Sequence, residues 1–375
     1  MDSKDPTALG HKMSEILSEE ELLDQDWTDD EKEFATRICI NTKENQRYIE
    51  ENLGRIKESI SESKIQGMMM ILAMSNSTKT KTFKLLKRAW KIDKDSQNHM
   101  DNNCLIIACT YNKNLDMIKY LIHGEKFDLS VRNCYAEDCL FRSCANPNVE
   151  IFKYLVFLHN MSTAEIWRVN DMGYNMFAYA CRGNENLQMI KYLYQLLNPL
   201  GNIFEHDIHG DDCLHLGSSF NPNVQIIKYL VEELQVDPMK RNKNSENCLM
   251  LGCLRKNDPS VIKYLVKKMG IKHIDNKRNN CLLLAAKNTY ENACALPVLK
   301  YLIEELGMDV NYKNRKGYDV IHMACLSESP VSNSPSLEVI AYLASRMDNY
   351  NNVSAYGYDY LMVAAMNPCV GEDVI

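Results

Sequence analysis

The chain lacks the marks of export. Its opening, Met1-Asp2-Ser3-Lys4-Asp5-Pro6, has no apolar core behind it, so a secretory leader is not expected. No apolar run approaches the roughly 18 residues that cross a bilayer. The richest, Met68 to Met74, is seven long. A basic excess is missing too: 43 Lys and Arg stand against 50 Asp and Glu, for a net charge of -7. That balance argues against a generic polyanion binder, since nucleic-acid modules carry a clear cationic surplus, although local basic patches stay open. Also absent are Gly-x-Ser-x-Gly, a phosphate-cradling glycine loop and His-Glu-x-x-His, so no catalytic constellation, cofactor or small-molecule site is expected.

Cysteine, by contrast, is plentiful. Fourteen thiols in a chain without an export signal fit a reducing compartment, cytosol or nucleus. Cys104 and Cys109, Cys139 and Cys144, and Cys248 and Cys253 each lie five apart. On a helix five positions rotate by roughly 140 degrees, so the two thiols of each pair point to different faces. They cannot jointly grip zinc, whose ligands usually stand two to four apart, and core filling is the better reading.

At 375 residues the chain is either several domains or one repeat array, and recurrence decides. Lys-Tyr-Leu appears at 119 to 121, 153 to 155, 191 to 193, 228 to 230, 263 to 265 and 300 to 302, with Ala341-Tyr342-Leu343 as a weaker copy. The tyrosines are spaced by 34, 38, 37, 35, 37 and 41 residues. A second phrase precedes each copy: Asn103-Cys104-Leu105, Asp138-Cys139-Leu140, Asp212-Cys213-Leu214, Asn247-Cys248-Leu249 and Asn280-Cys281-Leu282. Looser forms begin at Asn175, Asp319 and Asp359, and a degenerate one spans Met69 to Ala73 with Leu85 in the tyrosine slot.

Apolar residues within each unit recur at helical spacing, as in Leu249, Leu251 and Cys253, then Val261, Ile262 and Leu265. Two short helices follow, the first opened by an Asn or Asp N-cap. Phrases such as Asn146-Pro147-Asn148 and Asn221-Pro222-Asn223 make the turn between them. Polar stretches such as Asp207-Ile208-His209-Gly210 and Asn314-Arg315-Lys316-Gly317 supply a finger between units. One unit cannot bury both helix faces alone, so the stability must come from stacking.

These residues resemble the ankyrin repeat, whose helix-opening Thr-Pro-Leu-His-x-Ala is closest in Asp212-Cys213-Leu214-His215-Leu216-Gly217. The phrasing is similar to arrays of giant DNA viruses of amoebae and of some protists. The fold expected is therefore an all-α, ankyrin-like helical repeat solenoid with short fingers. About eight repeats fall over 64–375, the last incomplete because Pro368 to Ile375 aligns with the stretch before Lys-Tyr-Leu. Residues 28–63 read as a helical region holding a worn capping repeat, and residues 1–27 as an acidic polar segment around Leu22, Leu23 and Trp27.

The resemblance implies a protein-binding scaffold that works through finger tips and a concave inner-helix surface, without catalysis. The alternative is the recruiting arm of a larger enzyme or a ubiquitin-ligase adaptor. His215 and His322 are expected to pack and bond locally, and the Lys-Tyr-Leu lysines to hold their heads in water over apolar stems. Candidate partner-binding residues are Lys240, Arg241 and Lys243, then Lys277 and Arg278, then Lys313, Arg315 and Lys316, which fall in three successive fingers. Their charge suits an acidic or phosphorylated protein partner, in the cytoplasm or nucleus, of a host cell if the source is viral. Nucleic acid is the least favoured partner.

Overall fold

The computed structural model describes residues 28–39, 43–75, 80–93, 96–159, 166–201, 203–255, 259–287, 296–326, 337–347 and 352–366. The acidic segment 1–27 and the last residues, 367–375, lie outside them. The chain divides into two compact units, the first ending at Met172 and the second starting at Gly173.

The first unit holds α1 (Asp29–Cys39), α2 (Lys43–Ser59), α3 (Glu62–Met74), α4 (Thr80–Trp90), α5 (Cys104–Tyr111), α6 (Leu115–Lys119), α7 (Cys139–Ser143) and α8 (Val149–His159). The second holds α9 (Met176–Gly183), α10 (Leu187–Leu197), α11 (Cys213–Phe220), α12 (Val224–Lys228), α13 (Cys248–Arg255), α14 (Pro259–Met269), α15 (Cys281–Ala286), α16 (Leu296–Lys300), α17 (Val320–Cys325), α18 (Leu337–Ala344) and α19 (Tyr360–Ala365). No strand occurs among the described residues; an isolated antiparallel bridge joins Ile274 and Asn280. None of the described helices is long and apolar enough to cross a membrane.

First helices of successive repeats pack side by side: α3 on α5 and α5 on α7 in the first unit, then α9, α11, α13, α15, α17 and α19 in turn in the second. Each is short and starts at a side-chain cap. Asn103, Asp138, Asn175, Asp212, Asn247, Asn280, Asp319 and Asp359 accept from the amide three residues on, at 2.8–3.2 Å. These helices are buried almost all round, from Cys213 to Ser219 in α11 and from Cys248 to Cys253 in α13. A neighbour on either side explains that burial. It also explains why thiols five apart are both inside: Cys104, Cys109, Cys139, Cys144, Cys248 and Cys253 are all buried.

A second lattice ties each first helix to the one before it. Asn221, fully buried after α11, donates from Nδ2 to the carbonyls of Cys181 and Asn184 at the end of α9, both at 2.9 Å. Asn146 does the same to Cys109 and Asn112, and Asn112 to Ala73 and Ser75. Helix ends leave carbonyls without intrahelical donors, and these amides supply them. Two residues on, Asn114, Asn148, Asn186 and Asn223 cap the second helices.

Five of the six lysines of the Lys-Tyr-Leu phrases share a contact beyond the expected packing of their stems. Their heads lie over aromatic rings of the next repeat: in the second unit the Nζ atoms of Lys191, Lys228, Lys263 and Lys300 stand 4.9, 5.8, 4.7 and 5.7 Å from the ring centroids of Tyr229, Tyr264, Tyr301 and Tyr342. In the first unit Lys119 stands 5.5 Å from the ring of Tyr154. Tyr264 and Tyr342 then donate their hydroxyls to Glu232 and Glu304, each at 3.1 Å. A cation over an aromatic face contributes about 0.5–1 kcal/mol at exposed sites, so this ladder adds to the stacking of the second helices.

Candidate interaction surface

Each finger is built on an Asx residue. Asn133, Asp207, Asn242, Asp275 and Asn314 accept two backbone amides on Oδ1, two and four residues downstream. The residue three after each enters the left-handed region, where φ is 61° at Ala136, 84° at Gly210, 64° at Ser245, 63° at Arg278 and 74° at Gly317. At Gly317 a Cβ would lie 2.6 Å from the amide nitrogen of Ala355 in the following finger, so glycine is needed there for space as well as for conformation.

Successive fingers are joined tip to tip by one backbone hydrogen bond. Lys243 N donates to His209 O, Asn276 N to Asn244 O, Arg315 N to Lys277 O and Ala355 N to Lys316 O, at 2.9–3.2 Å. In the first unit Cys134 N donates to Met100 O and Asp171 N to Tyr135 O. This bond runs between backbone atoms and so does not depend on the tip side chain, although some side chains add links of their own, as Asn242 does to Asp211 and Asn314 to Asn279.

The eight basic residues singled out above all lie on the fingers of the second unit, but they do not form one free cluster. Lys240 is half-buried and pairs with Asp212 at 3.4 Å. Arg241 donates to the carbonyls of Ser245 and Ile274 at 2.5 and 2.7 Å. Lys243 donates to Ile208 O, and Lys313 to Asn352 Oδ1. Lys316 sits over the ring of Tyr318 at 5.9 Å. Lys277, Arg278 and Arg315 are exposed and form no ion pair among the described residues. The Arg315 to Lys277 backbone bond holds their two fingers together. Past them stand the exposed rings of Tyr356 and Tyr358, with centroids 6.3 Å apart.

Behind the tips the histidines serve the frame. His215 places Nδ1 2.7 Å from Asp212 Oδ1 and turns Nε2 to the carbonyl of Glu246 in the next finger, at 3.3 Å. His322 repeats this with Asp319 and Tyr358. Burial works against a charge on His215, but the hydrogen bond to Asp212 and the charges of Asp212 and Asp211 raise its pKa overall. Burial likewise opposes ionisation of Asp212, yet the bond from His215 holds its carboxyl below the usual range.

The thiols are quiet. Burial pushes Cys104 up to about 12, and the Cys181 thiol beside Cys213, together with burial, pushes Cys213 well up. Among the described residues no three His, Cys, Asp or Glu side chains converge as metal ligands would.

Two features escaped the sequence reading. The buried asparagines that clamp neighbouring helices could have been found from their recurrence at the first position of each Asn-x-Asn turn. The other lies on the inner helices: Arg182 and Arg255 place their guanidinium carbons 4.4 and 5.0 Å from the centroid of the Phe220 ring. No repeated phrase flags these three residues.

Paired short helices, capped alike and joined through finger tips, define an all-α repeat protein. The sequence pattern described as ankyrin repeats in three copies matches residues 69–170, 105–207 and 214–314, well over half of the chain. The chain belongs to the ankyrin-repeat family. No curated protein matches it. Among solved structures, a chain in the complex of the predatory endopeptidase Bd0816 from Bdellovibrio bacteriovorus with immunity protein Bd3460 is 21% identical. That match has a TM-score of 0.39 and covers 53% of this chain and 97% of the other, too distant a likeness to carry further argument.

Proposed function

We propose that the protein is a scaffold that holds an acidic or phosphorylated protein partner against its finger tips and inner helices, without catalysis. The observation that carries this is the exposed trio Lys277, Arg278 and Arg315, none of them in an ion pair among the described residues, on fingers joined by a backbone bond. Cations that have no internal partner are available to an external one, and on a preformed frame little entropy is lost in meeting it. The remaining five basic residues contribute field more than contact. We read α1 and α2 as a worn capping repeat, since α1 buries Phe34 and Ile38 and packs on α3. We place the protein in the cytosol or nucleus, where the eleven free thiols among the described residues would stay reduced.

The test is affinity capture from the source cell with the full chain and with the K277E/R278E/R315E variant. The expected result is loss of one or more captured proteins at unchanged melting temperature. An identical set of captured proteins from both chains would overturn the finger-tip reading.

A further inference from the structure

We infer that Arg182, Phe220 and Arg255 form a carboxylate clamp on the inner-helix face, which takes two acidic side chains of an extended segment of a partner protein. The inference rests on the reading of the array as a protein-binding scaffold and names a separate contact within it.

The three residues stand in the last turns of three successive first helices, α9, α11 and α13, and α11 packs against both of the others. One guanidinium therefore reaches the Phe220 ring from each flanking helix, at 4.4 Å for Arg182 and 5.0 Å for Arg255. All three side chains are half-buried. A partly buried cation is ordinarily compensated by an anion. Arg142 on α7 follows that rule, donating to Glu137, Thr110 and Tyr111. Arg182 and Arg255 form no ion pair among the described residues; the nearby phenol of Tyr174 feels both of their charges together with those of Asp207 and Asp211, carboxylates that are close enough to act on it but not bonded to either guanidinium.

The geometry suits a bound carboxylate. A guanidinium lying over an aromatic ring keeps the N–H edge of its plane clear, and that edge matches a carboxylate through two parallel hydrogen bonds. Two cations held close to one ring also repel each other, and an anion on each relieves the repulsion. In an extended chain, side chains on one face recur at every second residue, about 7 Å apart. An acidic-x-acidic sequence thus offers one carboxylate to each arginine while its middle side chain points away. A cation at the C-terminal end of a helix has a use of its own, because it meets the negative end of the helix dipole, but lysine would serve that purpose as well as arginine. The fork geometry separates the two roles.

The probe is a fluorescein-labelled peptide, Gly-Ser-Glu-Leu-Glu-Leu-Glu-Ser-Gly, titrated by anisotropy with the full chain, beside its Gln-for-Glu analogue. The wild type is expected to prefer the Glu peptide by about tenfold or more, roughly the worth of one charge-assisted bidentate pair. The R182Q/R255Q variant should lose that preference. R182K/R255K, which keeps both charges and both helix-end cations, should lose most of it with an unchanged circular dichroism spectrum. Should R182Q/R255Q fail to fold, the lysine variant alone decides. Equal binding of the two peptides by the wild type, full retention of the preference in R182K/R255K, or displacement of the peptide by oligothymidylate at lower concentration than by unlabelled peptide would each overturn the clamp. The two readings fail separately. If K277E/R278E/R315E captures every partner unchanged while R182K/R255K loses the Glu peptide, the finger tips fall and the clamp stands; the opposite pattern removes the clamp and keeps the scaffold.

Discussion

Removing one buried amide should uncouple two repeats. Asn221 is fully buried and makes three bonds with its side chain: Nδ2 donates to the carbonyls of Cys181 and Asn184, and Oδ1 accepts from Asn223 N, all at 2.9 Å. In Asn221→Ala the two buried carbonyls at the end of α9 lose their partners inside protein, where water cannot readily replace them, and the part-buried amide of Asn223 loses its acceptor. At about 1 kcal/mol for each group left unsatisfied, the loss is roughly 3 kcal/mol. Asn223 provides the comparison. Its bonds, to Glu185 O and from Gln225 N, lie near solvent, and losing such a cap costs about 1 kcal/mol. Urea unfolding followed by far-ultraviolet circular dichroism reads the difference. With a slope of about 1–3 kcal/mol per molar, Asn221→Ala should lower the midpoint by about 1–3 M, roughly three times the shift of Asn223→Ala. Because each repeat leans mainly on its neighbours, the transition should also broaden or split. Equal midpoints for the two variants would refute the claim that this amide couples α9 to α11.

Backbone strain at the finger tips gives a prediction of opposite sign: Arg278, at φ 63°, should gain about 0.5–1 kcal/mol on replacement by Gly, whereas Gly317→Ala should destabilise, both read as midpoint shifts in the same titration. Stability should also depend on pH through the pair of His215 and Asp212. His215 has a raised pKa, so its contribution is complete below the ordinary imidazole value and disappears as pH climbs through the raised one; Asp212 has a lowered pKa, so its contribution is complete above the ordinary carboxylate value and disappears as pH falls through the depressed one. Melting temperature should therefore be highest between those limits, and His215→Ala should flatten the decline on the alkaline side; an unchanged alkaline slope in the variant counts against the pair. Alkylation with iodoacetamide followed by peptide mass spectrometry should modify Cys134 first among the described cysteines, because it is exposed while the other ten are buried; early modification of Cys213 or Cys253 would show that the inner helices open.

The parts of the fold that were legible in the sequence are those governed by neighbours along the chain. An Asn or Asp caps the amide three residues on, and an Asx-initiated turn closes within five residues, so Asn103, Asp212 and Asn314 announce their roles locally. The links between repeats were not legible, because their partners stand far away in sequence. Asn221 bonds to Cys181, and Lys228 reaches the ring of Tyr264. Helical rotation alone placed Cys248 and Cys253 on different faces, yet both are buried, since α13 has a helix packed on each side. For the surface, charge counting gathered eight cations on three fingers. It could not tell Arg241, committed to two carbonyls, from Arg278 and Arg315, which are uncommitted. It passed over Arg182, Phe220 and Arg255, because only stacking makes residues at three separate helix ends neighbours.

This division between recurring and singular residues also explains where specificity resides. Residues that recur from repeat to repeat are consumed by the frame: the cap closes its own helix, while the buried turn asparagines, the lysine and the tyrosine under it hold the neighbouring repeat. At a finger tip the joining bond runs between backbone atoms, so the same bond forms from Lys243, Asn276, Arg315 or Ala355. That bond therefore places little demand on which side chain projects there, while the left-handed position beside it does make a demand, as at Gly317. On the proposed reading a partner is selected by positions that stacking does not fix, and in the second unit we take these to include the tips around Lys277, Arg278 and Arg315 and the inner-helix ends at Arg182 and Arg255. A scaffold organised this way can change partner by substitution at its edge without loss of its spine, so the family fixes the frame while the singular residues decide what the frame holds.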